Sequence, residues 1–503
     1  MKKSNYIVSV ANKVLVGCVM LALVVSGCQI MELPDVAALP DQTGQPTTAP
    51  SPLPEVTLPA QRPQYGPGEL VDYIAQSGDN LPALAAHFNT TIDEIRGANP
   101  IIPADATTLP PGMPMQIPIY YRPLWGSSFK IIPDSAFVNG PDTVGFDTAA
   151  FVAQQDGWLK NETDFTTGRN LTGGEIVQQV ADNYSINPKL LLALLEYETG
   201  ALSNPDRPDV TSGNLFGFGD RQRTRLILQL NQLANILNNS YYGWREGSLV
   251  SFTHRSDGRL EYGDPWLNAG TVALHHTFAQ TMPYDQYRVA ISDQGLYRVY
   301  TELFGEPFEN AIDIIPGSLQ QPAFQLPFEG QIPWTYTGGP HAAWGDGQPW
   351  AAIDFAPPGI SGCSPSGDWI TAVADGVVAR VDTGLVVLDL DGDGDERTGW
   401  VLLYMHVASH NRVRLGQEVK RGTAIGHPSC EGGTSTGTHV HIARKYNGEW
   451  ILASGPLAFN LEGWVVESGS EAYLGRMVRY NEVVIATDFS GAQSRIVSAG
   501  LAE

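Results

Sequence analysis

Five polar residues stand out near the C-terminal end because their surroundings are apolar: His341 in TGGPHAAW, Asp354 in AAIDFAPP, His406 in LLYMHV, and His439 and His441 in GTHVHIA. An ionised carboxylate in an apolar strand is costly unless it is paired, so Asp354 needs a partner. Side chains two apart on a strand share a face, with Cα atoms roughly 6.5–7 Å apart, so His439 and His441 can line one groove. Histidines with a carboxylate suit zinc, and a catalytic zinc site keeps three protein ligands and an open position for water. Such a metal lowers the pKa of bound water to about 7 and polarises a scissile carbonyl, while neighbouring histidines move protons.

Two other places could do chemistry. Glu198 ends the apolar run LLLALLEYET; a carboxyl there, facing a cleft, could have a raised pKa and act as a general acid. Glu196 is a weaker candidate on a different helix face. Asp389, Asp391, Asp393 and Asp395 form the acidic stretch LDLDGDGDERTGW. Alternating oxygen donors around glycine look like the first half of a calcium loop, but no Glu stands at the twelfth position. A solvated hairpin tip is the simpler reading, with a calcium ion as the alternative.

The elements that must position these groups differ along the chain. From about residue 318 short apolar or alternating strands recur between Gly and Pro turns, which predicts a mostly β domain of antiparallel sheet over 316–503. Residues 125–315 read as mainly helical. Asn187-Pro188 is a helix start with Gly200 at its end; a second helix is expected over about 221–239, with Leu226, Leu230, Leu233 and Leu237 on one side, and a third over TVALHHTFAQTM. Residues 69–120 read as β-α-α-β, with a strand running to Ser77-Gly78, Asp79 capping the first helix and Thr91 the second. Residues 28–68 are rich in Pro, Thr, Gln and Ala and form an extended spacer.

Length and charge narrow the class further. A chain of 503 residues implies several domains, and 43% hydrophobic residues suffice for cores. Lys2 and Lys3, an apolar run from Val14 to Val25 and a small-residue site predict a signal peptide over 1–27. Its removal takes three lysines and no acid, moving the net charge from −23 to −26. With no basic block, nucleic acid is excluded as a partner. Cys363 and Cys430 are the two cysteines left besides Cys18 and Cys28, and an exported pair is expected to form a disulfide.

Several stretches resemble known families. Val25-Ser26-Gly27-Cys28 resembles a bacterial lipobox, which implies lipidation of Cys28 and extracytoplasmic anchoring to the membrane. SGDNLPALAAHF, IDEIRGANP and LPPGMPMQIP resemble the lysin motif. That likeness implies binding of peptidoglycan glycans beside Gly78 and Asp79 and around Asn99, Pro100, Ile101 and Ile102. ALLEYETG and NLFGFGD are similar to segments of the lysozyme-like transglycosylases and glucosaminidases, without their Gly-Leu-Met-Gln element; this likeness implies a catalytic role for Glu198. GGPH…IDFA, YMHV, RLGQEVKRGTAIG and GTSTGTHVHIA look like the lysostaphin-like zinc endopeptidases. By that resemblance His341, Asp354 and His441 bind Zn2+, His439 is the general base, and His406 stabilises the oxyanion or shares proton transfer. One departure stands: that family usually places its Asp four residues after the first His, whereas here thirteen positions separate His341 from Asp354. Asp346 is nearer but lies in a Gly-rich loop, so Asp354 is preferred.

The expected function is a zinc endopeptidase that cuts peptidoglycan cross-links, held by a lipid anchor and docked by the lysin motif. Two rivals are a non-enzymatic activator of a wall amidase and a glycan-strand hydrolase acting through the middle domain.

Overall fold

The computed structural model describes residues 62–500 together with 56, 58 and 59, apart from 167, 210–213 and 220–221. The signal peptide and Cys28 lie outside the described residues. Leu53–Glu503 is one compact unit.

The unit opens with β1 (Glu69–Ile74), α1 (Leu81–His87), α2 (Ile92–Ala98) and β2 (Pro114–Ile119), the two strands pairing antiparallel. The β-α-α-β order is the expected one, with two local corrections. The strand stops at Ile74, and Asn80 rather than Asp79 caps α1, its side chain accepting from Ala83 N. Asp79 is otherwise engaged: its carboxylate accepts the Tyr73 hydroxyl at 2.7 Å and Gln76 N at 2.7 Å. Thr91 caps α2 in a full capping box with Glu94.

The middle region is built from α3 (Thr148–Ala153), the hairpin β3 (Thr163–Thr166) and β4 (Arg169–Thr172), α4 (Gly173–Tyr184), α5 (Pro188–Thr199), α6 (Leu226–Glu246), the hairpin β5 (Ser251–Thr253) and β6 (Leu260–Tyr262), α7 (Ala269–Thr281), α8 (Tyr284–Ala290) and α9 (Leu296–Phe304). Asn187 caps α5 and Gly200 closes it in the left-handed conformation at φ 63°. The helix expected over 221–239 is α6, which starts later and runs longer, to Glu246. Its last turns carry Tyr241, Tyr242, Trp244 and Arg245, all buried. Aromatic and polar residues weaken the apolar period there, so contacts with the neighbouring regions, not local pattern, extend the helix.

The remainder is β: β7 (Pro333–Ala342), β8 (Trp350–Ala356), β9 (Ile370–Thr371), β10 (Gly376–Asp382), β11 (Leu385–Asp389), β12 (Trp400–Met405), β13 (Glu418–Val419), β14 (Ala424–Gly426), β15 (Val440–Tyr446), β16 (Glu449–Trp450), β17 (Asn460–Leu461), β18 (Trp464–Ser468), β19 (Gly475–Arg479), β20 (Glu482–Ile485) and β21 (Arg495–Val497). The main sheet is antiparallel with order β13-β10-β11-β12-β15-β8-β7-β21, β16 pairing with β15. A four-stranded sheet, β17-β18-β19-β20, lies apart from it.

Both faces of the main sheet are covered, which explains why GLVVLDL and GWVLLYMHV read as unbroken apolar runs. Leu385, Val387, Val401 and Leu403 share a core with the helices of the middle region; Val386, Leu388, Leu402 and Tyr404 point to the opposite core with Trp464 and Met477 of the smaller sheet. Arg245 knots the three regions together. Its guanidinium donates to Ser77 O at 2.5 Å and pairs with Asp134 at 3.1 Å and Glu449 at 3.0 Å. A buried cation of this kind is stable only with such partners. Among the described residues no helix is long and apolar enough to cross a membrane.

Candidate metal centre

The core of the site is set by strand register. On β15 and β8, His441 lies directly opposite Asp354; β7 lies on the other side of β8 and carries His341, paired with Ala352. Alternation sends Ile353 and Phe355 into one core and Asp354 to the other face, where Val440 and Ile442 likewise leave His441 free to meet it. Gly338 makes room for the carboxylate, since a Cβ there would lie 2.5 Å from Asp354 Oδ2.

Three ligand atoms converge. His341 Nε2 is 3.0 Å from His441 Nδ1, and Asp354 Oδ1 is 3.3 Å from the first and 3.2 Å from the second. The other ring nitrogens fix which atoms carry protons. His341 Nδ1 donates to Gly339 O at 2.8 Å, and His441 Nε2 donates to Ala343 O at 3.1 Å. Carbonyls only accept, so in the neutral rings His341 Nε2 and His441 Nδ1 both hold lone pairs. Asp354 Oδ1 is buried without a hydrogen-bond partner. Two lone pairs and an orphaned carboxylate oxygen within van der Waals range repel unless a cation sits among them. Ligands about 2.0–2.1 Å from a tetrahedral zinc are roughly 3.3 Å from one another, which matches these separations. The donor set therefore fits a metal ion of the nitrogen- and oxygen-loving kind, with carbonyls as the outer partners that hold each ring.

Electrostatics agree. Burial alone would raise the Asp354 carboxyl, but the facing His341 and His439 outweigh it and hold the group well below the usual carboxylate range. Burial pulls His341 down, and Asp354 more than restores it, so that ring ends above its ordinary value. His441 is lowered, chiefly by burial.

Two further histidines border the trio. His439 Nδ1 meets Gly437 O at 2.7 Å, and its Nε2 lies 3.8 Å from Asp354 Oδ2. His406 Nδ1 donates to Glu431 O at 2.9 Å. The two rings are 4.4 Å apart between centroids. Burial, then the neighbouring His439 and His441, push His406 down to about 3. It is therefore neutral at neutral pH, with Nε2 able to accept a proton.

The long spacing between His341 and Asp354 also has a structural explanation. The connection between β7 and β8 reaches out to α6: Asp346 N donates to Asn235 at 2.8 Å and Gln348 N to Asn239 at 2.6 Å. Asp346 stands on that loop and is not among the three groups that converge. A residue that motif reading missed is Tyr473, on the turn between β18 and β19. Its ring stacks on His341 with centroids 4.1 Å apart. Nothing in its local sequence marks it, because it reaches the site only through the chain's return along β7, where Gly339 N donates to Tyr473 O at 2.7 Å.

The other sequence candidates fall elsewhere. Asp389, Asp391 and Asp393 also offer ligand atoms within 4.8 Å of one another, but the loop consumes them. Asp389 accepts backbone N–H groups of Asp391, Gly392 and Gly394 at 3.1, 3.0 and 2.8 Å. Asp395 is held by Arg397 at 2.6 Å. Glu198 is half-buried at the end of α5, and burial pushes its carboxyl up to about 7. Glu196 instead accepts Leu202 N at 2.7 Å and ties down the following turn. Asp220 of NLFGFGD lies outside the described residues. Gly78 and Asp79 do not open to solvent as a free loop. A Cβ on Gly78 would meet the Arg245 guanidinium at 2.5 Å. Asn99 is buried, its side chain bonded to Ile95 O and Gln116 O, each at 2.7 Å; Ile102 is buried, while Pro100 and Ile101 are exposed.

Comparison with known proteins divides the chain in the same sense. Residues 73–118 match the LysM domain, 130–318 the LasA N-terminal domain, and 356–452 peptidase family M23. The last match takes in His406, His439 and His441; His341 and Asp354 lie just before it. Protease LasA of Pseudomonas aeruginosa is 25% identical over 344 residues, covering 64% of this chain and 75% of that protein. The beta-lytic metalloendopeptidase of Achromobacter lyticus is 29% identical over 157 residues, 30% of this chain and 39% of that one. Among solved structures, the M23 metalloprotease pseudoalterin aligns at TM-score 0.29 with 24% identity, over 33% of this chain and 96% of that one. The chain thus joins, in series, a LysM domain, a LasA N-terminal domain and a peptidase family M23 domain.

Proposed function

We propose that this protein is a zinc-dependent endopeptidase that hydrolyses peptide bonds of peptidoglycan. The observation that carries the reading is the convergence of two imidazole lone pairs and an unpartnered carboxylate oxygen at His341, His441 and Asp354. A zinc ion held there would polarise the scissile carbonyl and activate water. The chain's own residues do the rest. His439 and His406 each anchor Nδ1 on a carbonyl, which leaves the lone pair of each ring on Nε2. Once either ring has taken a proton, its Nε2–H can donate to the oxyanion or to the leaving amine. The complete ligand set favours an enzyme over a regulator that has lost its metal.

The supporting domains fit a wall substrate. The LysM domain would bring the protein to glycan, with exposed Pro100 and Ile101 available and Gly78 and Asp79 covered by Arg245. Lipidation at Cys28 would hold it outside the cytoplasmic membrane; labelling with a fatty-acid analogue that Cys28→Ser abolishes would reveal this. A calcium ion at the acidic loop would have to displace hydrogen bonds the loop already makes, and a higher melting temperature in millimolar calcium would detect it.

A second activity is proposed for the middle region, because Glu198 stands half-buried at the C-terminal end of α5 and burial pushes its carboxyl up to about 7, the range of a general acid. Residues from peptidoglycan digests decide between the two. Mass spectrometry of fragments released by the purified protein should show cleaved stem or bridge peptides. Fragments cut only in the sugar strand would transfer the activity to the middle region, and intact peptidoglycan would reject both.

A further inference from the structure

The disulfide between Cys363 and Cys430 lies between segments that bond to His406 and Thr438, and its surroundings show what it holds. On one side, Ser429 N and Oγ donate to His406 O at 2.7 and 2.9 Å, and Glu431 O accepts His406 Nδ1. Cys430 is the residue between them. His406 itself has φ 61°, a left-handed backbone that a non-glycine residue keeps only where its surroundings over-determine it. On the other side, Gly362 O accepts Thr438 N at 2.8 Å and Ser364 O accepts Thr438 Oγ1 at 2.7 Å. Cys363 is the residue between those two, and Thr438 precedes His439. Ser435, whose hydroxyl lies 3.4 Å from both Cys430 Sγ and His439 Nδ1, closes the circuit.

These hydrogen bonds end on His406 and His439, which border the metal trio, His439 Nε2 lying 3.8 Å from Asp354 Oδ2. His341, Asp354 and His441 sit on β7, β8 and β15 and are fixed by sheet register and by the carbonyls of Gly339 and Ala343. The Cys363 side of the disulfide is exposed, on a stretch without regular secondary structure.

From this separation we infer that the Cys363–Cys430 disulfide is a positioning element for His406 and His439, and for none of the three metal ligands. Reduction by a phosphine takes two electrons from phosphorus and two protons from a water molecule, whose oxygen ends on the phosphine oxide, and leaves two thiols. The segments 362–364 and 429–438 then lose their covalent tie, and the two proton-handling rings lose their fixed aim. The metal stays bound while turnover falls. This inference rests on the peptidase reading for its kinetic arm alone.

The test uses the full chain, reduced with a phosphine and capped with iodoacetamide, beside the oxidised protein. Metal content should remain near one equivalent and the fold should persist. Turnover on peptidoglycan should drop by about 100-fold, the scale of an ångström's misplacement, with KM changed less than about twofold. Independently of activity, the His406 Nδ1–H signal in nitrogen-resolved NMR should lose its protection from solvent exchange. If the reduced protein fails to stay folded, Thr438→Val, which removes only the bond to Ser364 O, should shift the same two readouts in the same direction by a smaller amount. Unchanged turnover and unchanged His406 protection overturn the inference, as does metal loss in step with activity. If the protein has no peptidase activity at all yet His406 protection collapses on reduction with metal retained, the positioning role stands and the proposed function fails.

Discussion

Among the described residues two clusters bring three ligand atoms within 4.8 Å, the buried trio His341, Asp354 and His441 and the acidic loop Asp389, Asp391 and Asp393. Proximity is common to both, and what separates them is satisfaction. In the loop, backbone N–H groups already occupy the Asp389 oxygens, and two of the three acids are exposed. In the trio, the hydrogen bonds run outward, to Gly339 O and Ala343 O, and the inward atoms have nothing to meet but one another. Buried polar atoms are ordinarily paired, so a convergent set of unpaired ones marks a place for a ligand.

The largest effects are expected at the ligands. His441→Ala or His341→Ala should take metal content from about one equivalent to near zero, measured by elemental analysis after dialysis. Activity should fall by more than the roughly 10–100-fold typical of losing an outer partner of a metal ligand. His439→Ala sharpens the same contrast from the proton side. It should keep the metal and lose about 10²–10⁴-fold in kcat; metal loss in that variant would make His439 a ligand.

How much of this was legible in the sequence depends on range. The helix caps at Asn187, Thr91 and Gly200 are local, and their residue types predict the geometry found. Asp79 and Asn80 are adjacent and either residue type can cap, so the local sequence does not choose between them; Tyr73 and Gln76 engage Asp79 and leave the cap to Asn80. The polar residues of the site show in the sequence because each interrupts an apolar strand. The long interval before Asp354 does not explain itself, since its cause is a loop that docks on Asn235 and Asn239 of α6, more than a hundred residues away. Tyr473 and the cover over Gly78 are hidden for the same reason: both depend on which distant segment returns to the spot.

Smaller effects test the loop side. Asp389→Asn halves the carboxylate's capacity to accept and should destabilise the protein by about 1–3 kcal/mol, read by denaturant unfolding. Asp391→Asn and Asp393→Asn should stay within about 0.5 kcal/mol, and all three should leave zinc content unchanged. A zinc loss in any of them would mean that the two clusters are not independent.

Glu198 gives the pH-dependent member of the series. Its folded pKa, about 7, lies above the ordinary glutamate value, so the folded state holds this proton more tightly than the unfolded one. The associated stability is complete below the unfolded value, near 4.5, and is lost as pH rises through about 7. The full interval corresponds to roughly 3 kcal/mol, and partial exposure to water reduces it to about 1–2 kcal/mol. Glu198→Gln should therefore flatten the decline in stability between pH 5 and 8 by about that amount. An unaltered pH profile would show that Glu198 is ionised and solvated in the folded protein, which would remove the basis for a general acid in the middle region.

The most direct test of the central claim is anomalous diffraction at the zinc edge from crystals of the full chain loaded with one equivalent of zinc. One strong peak is expected about 2.0–2.2 Å from His341 Nε2, His441 Nδ1 and an Asp354 oxygen. A peak at the Asp389–Asp393 loop with none at the trio, or no ordered zinc at either place, would contradict it.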